Sequence, residues 1–190
     1  MEQLQLRKYI RINSTEEELF KECRKIYEES FPVEEQRSID DQARIFRQFD
    51  NYHFHAITDP SLSSEKGGVV GFITYWVFSE VVYGEHLAID PALRGKDIGG
   101  DAIEFLKQKC GQMKMPLILE IELPTDPLKK RREQFYIRHS FVTNGIKHFQ
   151  PPYHKGFEPL ELLIMSYPGP IGNDTYNRFY PEYKAMMPKL

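Results

Sequence analysis

Residues 85–100 read Glu-His-Leu-Ala-Ile-Asp-Pro-Ala-Leu-Arg-Gly-Lys-Asp-Ile-Gly-Gly, and no other stretch of this chain restricts its fold as strongly. Leu87 and Ile89 alternate around the small Ala88, and Pro91 ends the run because it has no N–H to give to a strand ladder. From Ile98 the apolar residues Ile98, Ala102, Phe105, Leu106, Cys110 and Met113 recur at helical spacing, while Asp101, Glu104, Lys107 and Gln108 fill the other face. A strand therefore passes through a short basic turn straight into an amphipathic helix. The first N–H groups of such a helix lack intrahelical partners, and its positive dipole end attracts an anion. Gly95, Gly99 and Gly100 let that anion approach the main chain, and Arg94 and Lys96 add charge, so the expected ligand is a diphosphate. An ordinary strand-to-helix connection with solvated basic residues is the alternative.

Length and composition set the outer limits. A chain of 190 residues, 41% hydrophobic and 13% aromatic, can bury a full core and suits one domain with a terminal extension. No apolar run approaches the roughly 20 residues of a membrane-spanning helix. Met1-Glu2-Gln3 has no secretory pattern, so a cytoplasmic protein that does not engage a membrane is expected. Cys23 and Cys110, the two cysteines, fall on apolar helix faces and are expected to pack as small hydrophobes. A net charge of −3 argues against a nucleic-acid partner and fits amine-bearing substrates better.

Along the chain, Arg7 to Ile12 reads as a first strand, and Ser14-Thr15-Glu16-Glu17 as a capping box opening a helix whose inner face is Leu19, Phe20, Cys23, Ile26 and Tyr27. Ser38 is the expected cap of a second helix with Ile39, Ile45, Phe46 and Phe49 inward. Tyr52 to Thr58, Val69 to Phe78 and Glu80 to Ile89 read as three consecutive strands, the first two joined by the polar turn region Pro60-Ser61-Leu62-Ser63-Ser64 with Gly67-Gly68. Pro116 to Glu122 is a compact strand joined to the Glu85 strand by one helix. A right-handed crossover makes the two parallel. Asp126-Pro127 has the cap and first-turn proline of a further helix. Beyond residue 166, Tyr176, Phe179, Tyr180 and Tyr183 follow helical spacing after the cap candidate Asn173, with Pro181 interrupting. This aromatic helix is expected to dock on the body, with a lid over the acceptor cleft or a homodimer contact as the other readings.

Two of these motifs carry a resemblance. Arg94 to Gly99, led in by Ile89-x-Pro91, resembles motif A of the GNAT N-acetyltransferase superfamily, Arg/Gln-x-x-Gly-x-Gly/Ala, with Asp97 standing where the family places its first glycine. Phe135-Tyr136-Ile137-Arg138-His139-Ser140-Phe141 resembles motif B, with Ser140 in place of the usual glycine. The resemblance covers about residues 5 to 166. It implies a mixed α/β fold, a central mostly antiparallel sheet with a parallel pair of its fourth and fifth strands, flanked by helices. It also implies a GNAT domain over residues 1–166 and an aromatic extension over 167–190.

The same resemblance implies transfer of an acetyl group from acetyl-coenzyme A to a primary amine of a small molecule or peptide. That reaction needs an unprotonated nucleophile, donors for the carbonyl oxygen and an acid for the departing thiolate. Glu85 is the candidate base and Tyr136 the candidate acid. Leu87, Ala88 and Ile89 are expected to hold the thioester and pantetheine arm through their main chain. Arg94, Gly95, Lys96, Asp97, Ile98, Gly99 and Gly100 are expected to hold the diphosphate. Phe31, Glu34, Glu35, Glu120 and Tyr153 are the acceptor-pocket candidates, with Glu120 and Glu122 in reserve as base or as counter-charge for a cationic substrate.

His86 points away from Glu85 and reads as a surface or core histidine. His53 and His55 form an i, i+2 pair without metal spacing, so no metal is expected. Lys129-Lys130-Arg131-Arg132 opposes the dipole of its own helix and reads as a solvated face, or as a contact for a coenzyme phosphate. Since Asp97 would place a carboxylate beside a diphosphate, a catalytically silent coenzyme-binding or regulatory module is the alternative function.

Overall fold

Alternating and continuous apolar runs give this chain its strands, and helical periodicity gives the elements that cover them. In the computed structural model, which describes residues 7–62 and 68–188, the order is β1 (Lys8–Ile12), α1 (Glu18–Ser30), α2 (Ile39–Gln48), β2 (Tyr52–Thr58), β3 (Val69–Val77), β4 (Val82–Ile89), α3 (Ile98–Met113), β5 (Leu117–Glu122), α4 (Pro127–Arg138), β6 (Val142–Thr143), β7 (His148–Gln150), β8 (Leu160–Tyr167) and α5 (Asn173–Met186). The chain start lies outside the described residues, as do Ser63, Ser64 and Gly67 of the turn expected between β2 and β3, whereas Pro60, Ser61, Leu62 and Gly68 are in turns, with the Ser61 N–H on Asp59 Oδ1 at 3.1 Å. Strand order is β1-β2-β3-β4-β5-β8-β6, with β7 on β8. β1 pairs antiparallel with β2, and β8 pairs antiparallel with β5, β6 and β7. β4 and β5 run parallel. This is the mixed, mostly antiparallel α/β architecture expected from the sequence, with the parallel pair where the single-helix crossover demands it.

Two compact units divide the chain, one built of residues up to Tyr75 with His86–Ala102, the other of Trp76–Glu85 with everything from Ile103 on. In the first, α1 lays Phe20, Cys23, Ile26 and Tyr27 inward. The Phe20 and Tyr27 rings meet Phe54 of β2 at 5.7 Å and Phe72 of β3 at 5.8 Å. Each such side chain withdrawn from water stabilises the fold by about 1.5–3 kcal/mol. β3 and β4 approach closely at Gly71, where an added Cβ would lie 2.5 Å from the Ala88 carbonyl oxygen and 2.8 Å from Ile89 Cδ1. In the second unit, Phe78 and Tyr83 stack with each other and receive Phe179 and Tyr183 of α5 at 5.9 and 5.3 Å. Cys23 and Cys110 are buried thiols, one in each unit.

Three local expectations are corrected. Helix α1 starts at Glu18, not at the Ser14 box. The Glu17 carboxylate does reach back to the Ser14 N–H at 3.0 Å, but Ser14 Oγ takes the N–H of Glu16, so residues 14–17 close a turn ahead of the helix. In α2 Ser38 caps Asp41 as expected, yet Ile39 is about half exposed because it sits in the first turn, off the buried stripe led by Ile45. In α5 Gly172 is the cap, Asn173 is already helical, and Pro181 lies inside an unbroken helix. Burial of Phe179, Tyr183 and Met186 along one face of α5 offsets the proline's missing N–H.

Candidate active site

The loop expected to hold a diphosphate belongs to the first unit. Asp90 ends β4 and folds the chain over, its carboxylate taking the Ala92 N–H at 3.0 Å while its own N–H goes to the Val70 carbonyl at 2.9 Å. Residues 94–97 are exposed and contain two left-handed positions, Gly95 at φ +82° and Asp97 at φ +57°. A Cβ at Gly95 would meet nothing within 4 Å, so the glycine is there for its dihedral angle and not for space. Asp97 keeps the backbone shape of a glycine, which short polar side chains tolerate. Its carbonyl accepts from the Asp101 N–H at 3.1 Å, which opens the α3 ladder and leaves the N–H groups of Ile98, Gly99 and Gly100 ahead of it. Arg7 binds the Asp101 carboxylate and the Lys96 carbonyl, so the acidic residue in the first turn of α3 is already paired with a cation. The Arg94 guanidinium folds back onto the Ile89 carbonyl at 3.3 Å and Ser30 Oγ at 3.2 Å.

The strand that leads into this loop changes partners along its length. Pairing between β4 and β5 covers Val82–Leu117, Tyr83–Ile118 and Gly84–Leu119 and ends there, although β4 continues to Ile89. The N–H groups of His86 and Asp90 turn toward β3, where they find Thr74 Oγ1 at 3.0 Å and the Val70 carbonyl. By strand alternation those of Leu87 and Ile89 face the opposite edge, beyond the end of the parallel ladder. Ala88 is buried, its carbonyl oxygen against Gly71. His86 lies edge-on to Tyr27 and Phe31, each at 5.0 Å, with Nε2 3.4 Å from the Tyr27 hydroxyl. Phe31 of the acceptor candidates is thus an aromatic neighbour of β4. Glu34 is exposed, and Glu35 contributes its carbonyl to the Tyr27 hydroxyl at 3.2 Å.

In the second unit the sequence candidates Glu85, Tyr153 and Glu120 come together around a buried polar cluster. The Tyr153 side chain is buried and its hydroxyl donates to Glu85 Oε1 at 3.3 Å. Glu120 is drawn inward: its carboxylate accepts from the Tyr83 hydroxyl at 2.7 Å and Gln150 Nε2 at 3.3 Å and pairs with His148 Nε2. His148 Nδ1 in turn meets the Tyr176 hydroxyl at 2.8 Å. Burial and the Glu120 charge hold the Tyr83 and Tyr183 phenols well above their ordinary range, so both stay protonated. His148, Tyr83 and Gln150 were not singled out in the sequence. The available signal was the period-two spacing of Tyr83 with Glu85 and of His148 with Gln150, which puts each pair on one strand face without saying which strands are neighbours.

Tyr136 sits in the last turns of α4, where Asp126 caps Leu128 and Lys129 and Pro127 occupies the first turn as expected. Its ring packs edge-on between Phe135 at 5.1 Å and Phe141 at 5.6 Å. Desolvation raises the pKa of its hydroxyl, against a smaller opposing pull from Arg132. Ser140, standing where motif B has glycine, adopts φ +67°. The basic run of α4 has partners on β5 and at its own cap: Arg132 binds Glu122, and Lys129 lies 3.7 Å from Glu122 and 3.5 Å from Asp126. Those carboxylates offset cations near a helix N-terminus. His53 and His55 stack with Tyr75 at 4.7 and 5.7 Å, and Arg11 binds His53 Nδ1.

A glycine-bearing strand-to-helix loop on a strand that outruns its parallel neighbour is the arrangement expected of the acyl-coenzyme A N-acyltransferase fold class. Residues 18–141 match the model of the acetyltransferase (GNAT) family, and the chain belongs to that family. Among solved structures it is similar to a protein described as a GNAT-family acetyltransferase from Bacteroides thetaiotaomicron, with 31% identity over 96% of this chain and 99% of that one, at a TM-score of 0.79. Arabidopsis thaliana NAA60, solved with a bisubstrate analogue, shares 14% identity over 85% and 97% of the two chains at a TM-score of 0.62. The ribosomal-protein-S18-alanine N-acetyltransferase of Escherichia coli shares 16% over 88% and 97% at 0.59. The last two likenesses are of fold. No curated protein matches the chain. Among the described residues no helix is long and apolar enough to cross a membrane.

Proposed function

We propose that this acetyltransferase moves an acetyl group from acetyl-coenzyme A to a primary amine of a small molecule or peptide by direct attack, with Glu85 as general base and Tyr136 as general acid. Acetyl-coenzyme A supplies the acetyl group as a thioester. The observation that carries this reading is the end of the β4–β5 ladder at Gly84, one residue before Glu85 on a strand that runs on into the left-handed loop. Leu87 and Ile89 offer N–H groups to the thioester arm, and Gly95 and Asp97 shape the main chain for a diphosphate whose charge meets the first amides of α3. Glu85, on the same strand, takes the proton of the ammonium group. Tyr136 stays protonated because desolvation raises its pKa, which suits a group that must deliver a proton to the departing sulfur. Phe31, Glu34, Glu35 and Tyr153 are assigned to the acceptor side. A cytoplasmic setting fits the two buried thiols.

A catalytically silent coenzyme-binding module is the second reading, favoured by the exposed carboxylate of Asp97 in the loop. Thiol release from acetyl-coenzyme A across a panel of amines, polyamines, amino acids and peptides separates the two. For the enzyme, Glu85→Gln and Tyr136→Phe each lower kcat by about 100-fold while calorimetric coenzyme affinity is kept. Coenzyme binding without turnover on any amine overturns the proposal in favour of the silent module.

A further inference from the structure

We infer that Glu120 is a positioning residue that holds the Tyr153 hydroxyl on the Glu85 carboxylate. This rests on the reading of Glu85 as the base. Glu120 joins the two pieces of chain that carry the Tyr153–Glu85 contact. On one side it accepts from Tyr83, two residues before Glu85 on β4. On the other it binds His148 and Gln150, the two ends of β7, five and three residues before Tyr153. The carboxylate is 5% exposed and His148 is fully buried, so the clamp works where charge-assisted hydrogen bonds are strong. Helix α5 closes it from outside, through Tyr176 on His148 Nδ1 and the Tyr180 hydroxyl on the Phe149 carbonyl at 3.1 Å.

The contact being positioned is sensitive to small movements. At 3.3 Å the Tyr153–Glu85 bond is near the long limit for a hydroxyl donor, so a shift of a few tenths of an ångström at β7 removes it. A hydroxyl donor favours the charged form of the carboxylate it meets, so its loss moves the titration of that carboxyl upward. The titratable groups seen to act with Glu85 include Tyr83 from β4 and Tyr153 from the segment after β7, and those two in turn meet Tyr183 from α5 and the Glu120–His148 pair.

The test reads the Glu85 carboxyl by carbon-13 NMR, assigned with Glu85→Gln, beside the pH profile of kcat. Tyr153→Phe raises the Glu85 midpoint, and Gln150→Leu, which keeps the Glu120 charge, raises it in the same sense, with kcat at neutral pH falling about three- to tenfold and KM for acetyl-coenzyme A unchanged. Glu120→Gln also removes a negative charge, which lowers the midpoint, so its positioning share is read as its shift in the wild-type background less its shift in the Tyr153→Phe background, and that difference is upward. Ser38→Ala, at the cap of α2, lowers thermal stability and leaves the midpoint where it was. An unmoved midpoint in folded Gln150→Leu overturns the positioning role, as does an equal Glu120→Gln shift in both backgrounds. Retained turnover in Glu85→Gln sinks the base assignment instead, and the carboxyl titration still decides what Glu120 does.

Discussion

The loop at residues 94–100 and the cluster around Glu120 solve opposite problems. The loop is exposed, makes its shape from backbone dihedrals, and leads into the first amides of α3. The cluster is buried and made of side chains from β4, β5, β7 and α5, in which Tyr83, Glu120, His148, Gln150 and Tyr176 are hydrogen-bonded to one another. Recognition through the main chain depends on φ and little on side-chain identity, so an aspartate stands in for a glycine. A buried polar network tolerates no such exchange, since each missing partner leaves a desolvated group unpaired.

Mutations can break that contrast. Glu120→Ala has the largest expected effect: it strands three buried donors and costs about 3 kcal/mol, seen as a fall in Tm of about 10 °C in a chain of this size. Gly71→Ala follows, because its Cβ would strike the Ala88 carbonyl, and a backbone clash of this kind costs about 2 kcal/mol. The same change displaces the β4 segment beside the loop, so coenzyme affinity falls with stability. Gly95→Ala costs about 1 kcal/mol through its left-handed backbone alone, having open space around it, and a loss as large as that of Glu120→Ala would erase the distinction between the two regions.

Ser140→Gly sharpens the comparison from the other side, raising stability by about 0.5–1 kcal/mol in denaturant melts because the position already has φ +67°. The effect absent at neutral pH appears only in alkali. Burial pushes Tyr9 of β1 and Tyr176 of α5 from the ordinary value of 10.0 up to about 12. The unfolded chain therefore loses these protons first, and the stability they contribute is complete below pH 10 and lost as pH rises toward about 12. Thermal melts across that range should show the decline, and Tyr176→Phe should reduce it. A melting temperature that is flat to pH 12 would refute it.

Much of the local structure, the loop included, was legible residue by residue. Ser38 and Asp126 announced their helices because a cap is a contact within four residues. The strand before Pro91 and the helix from Ile98 were read from periodicity alone. Ser14 misled because the same short-range chemistry also closes a turn, and Asn173 because Gly172 has no side chain to advertise a cap. In the second region the sequence named Glu85, Glu120 and Tyr153 but not their arrangement. Glu120 was placed on the acceptor side, and its partners His148 and Gln150 lie 28 and 30 residues away.

What the sequence determined by itself is whatever depends on near neighbours: the elements, the parallel crossover, and a strand-to-helix loop whose glycines and basic residues are consecutive. Tertiary structure alone decided that the β4–β5 ladder stops at Gly84, that Asp97 and Ser140 keep glycine-like backbones, and that Tyr153 meets Glu85 while His148 meets Glu120. Those outcomes depend on which strands become neighbours and in what register. Strand pairing is set by the burial of whole faces across distant segments, a sum over the chain that no local pattern contains.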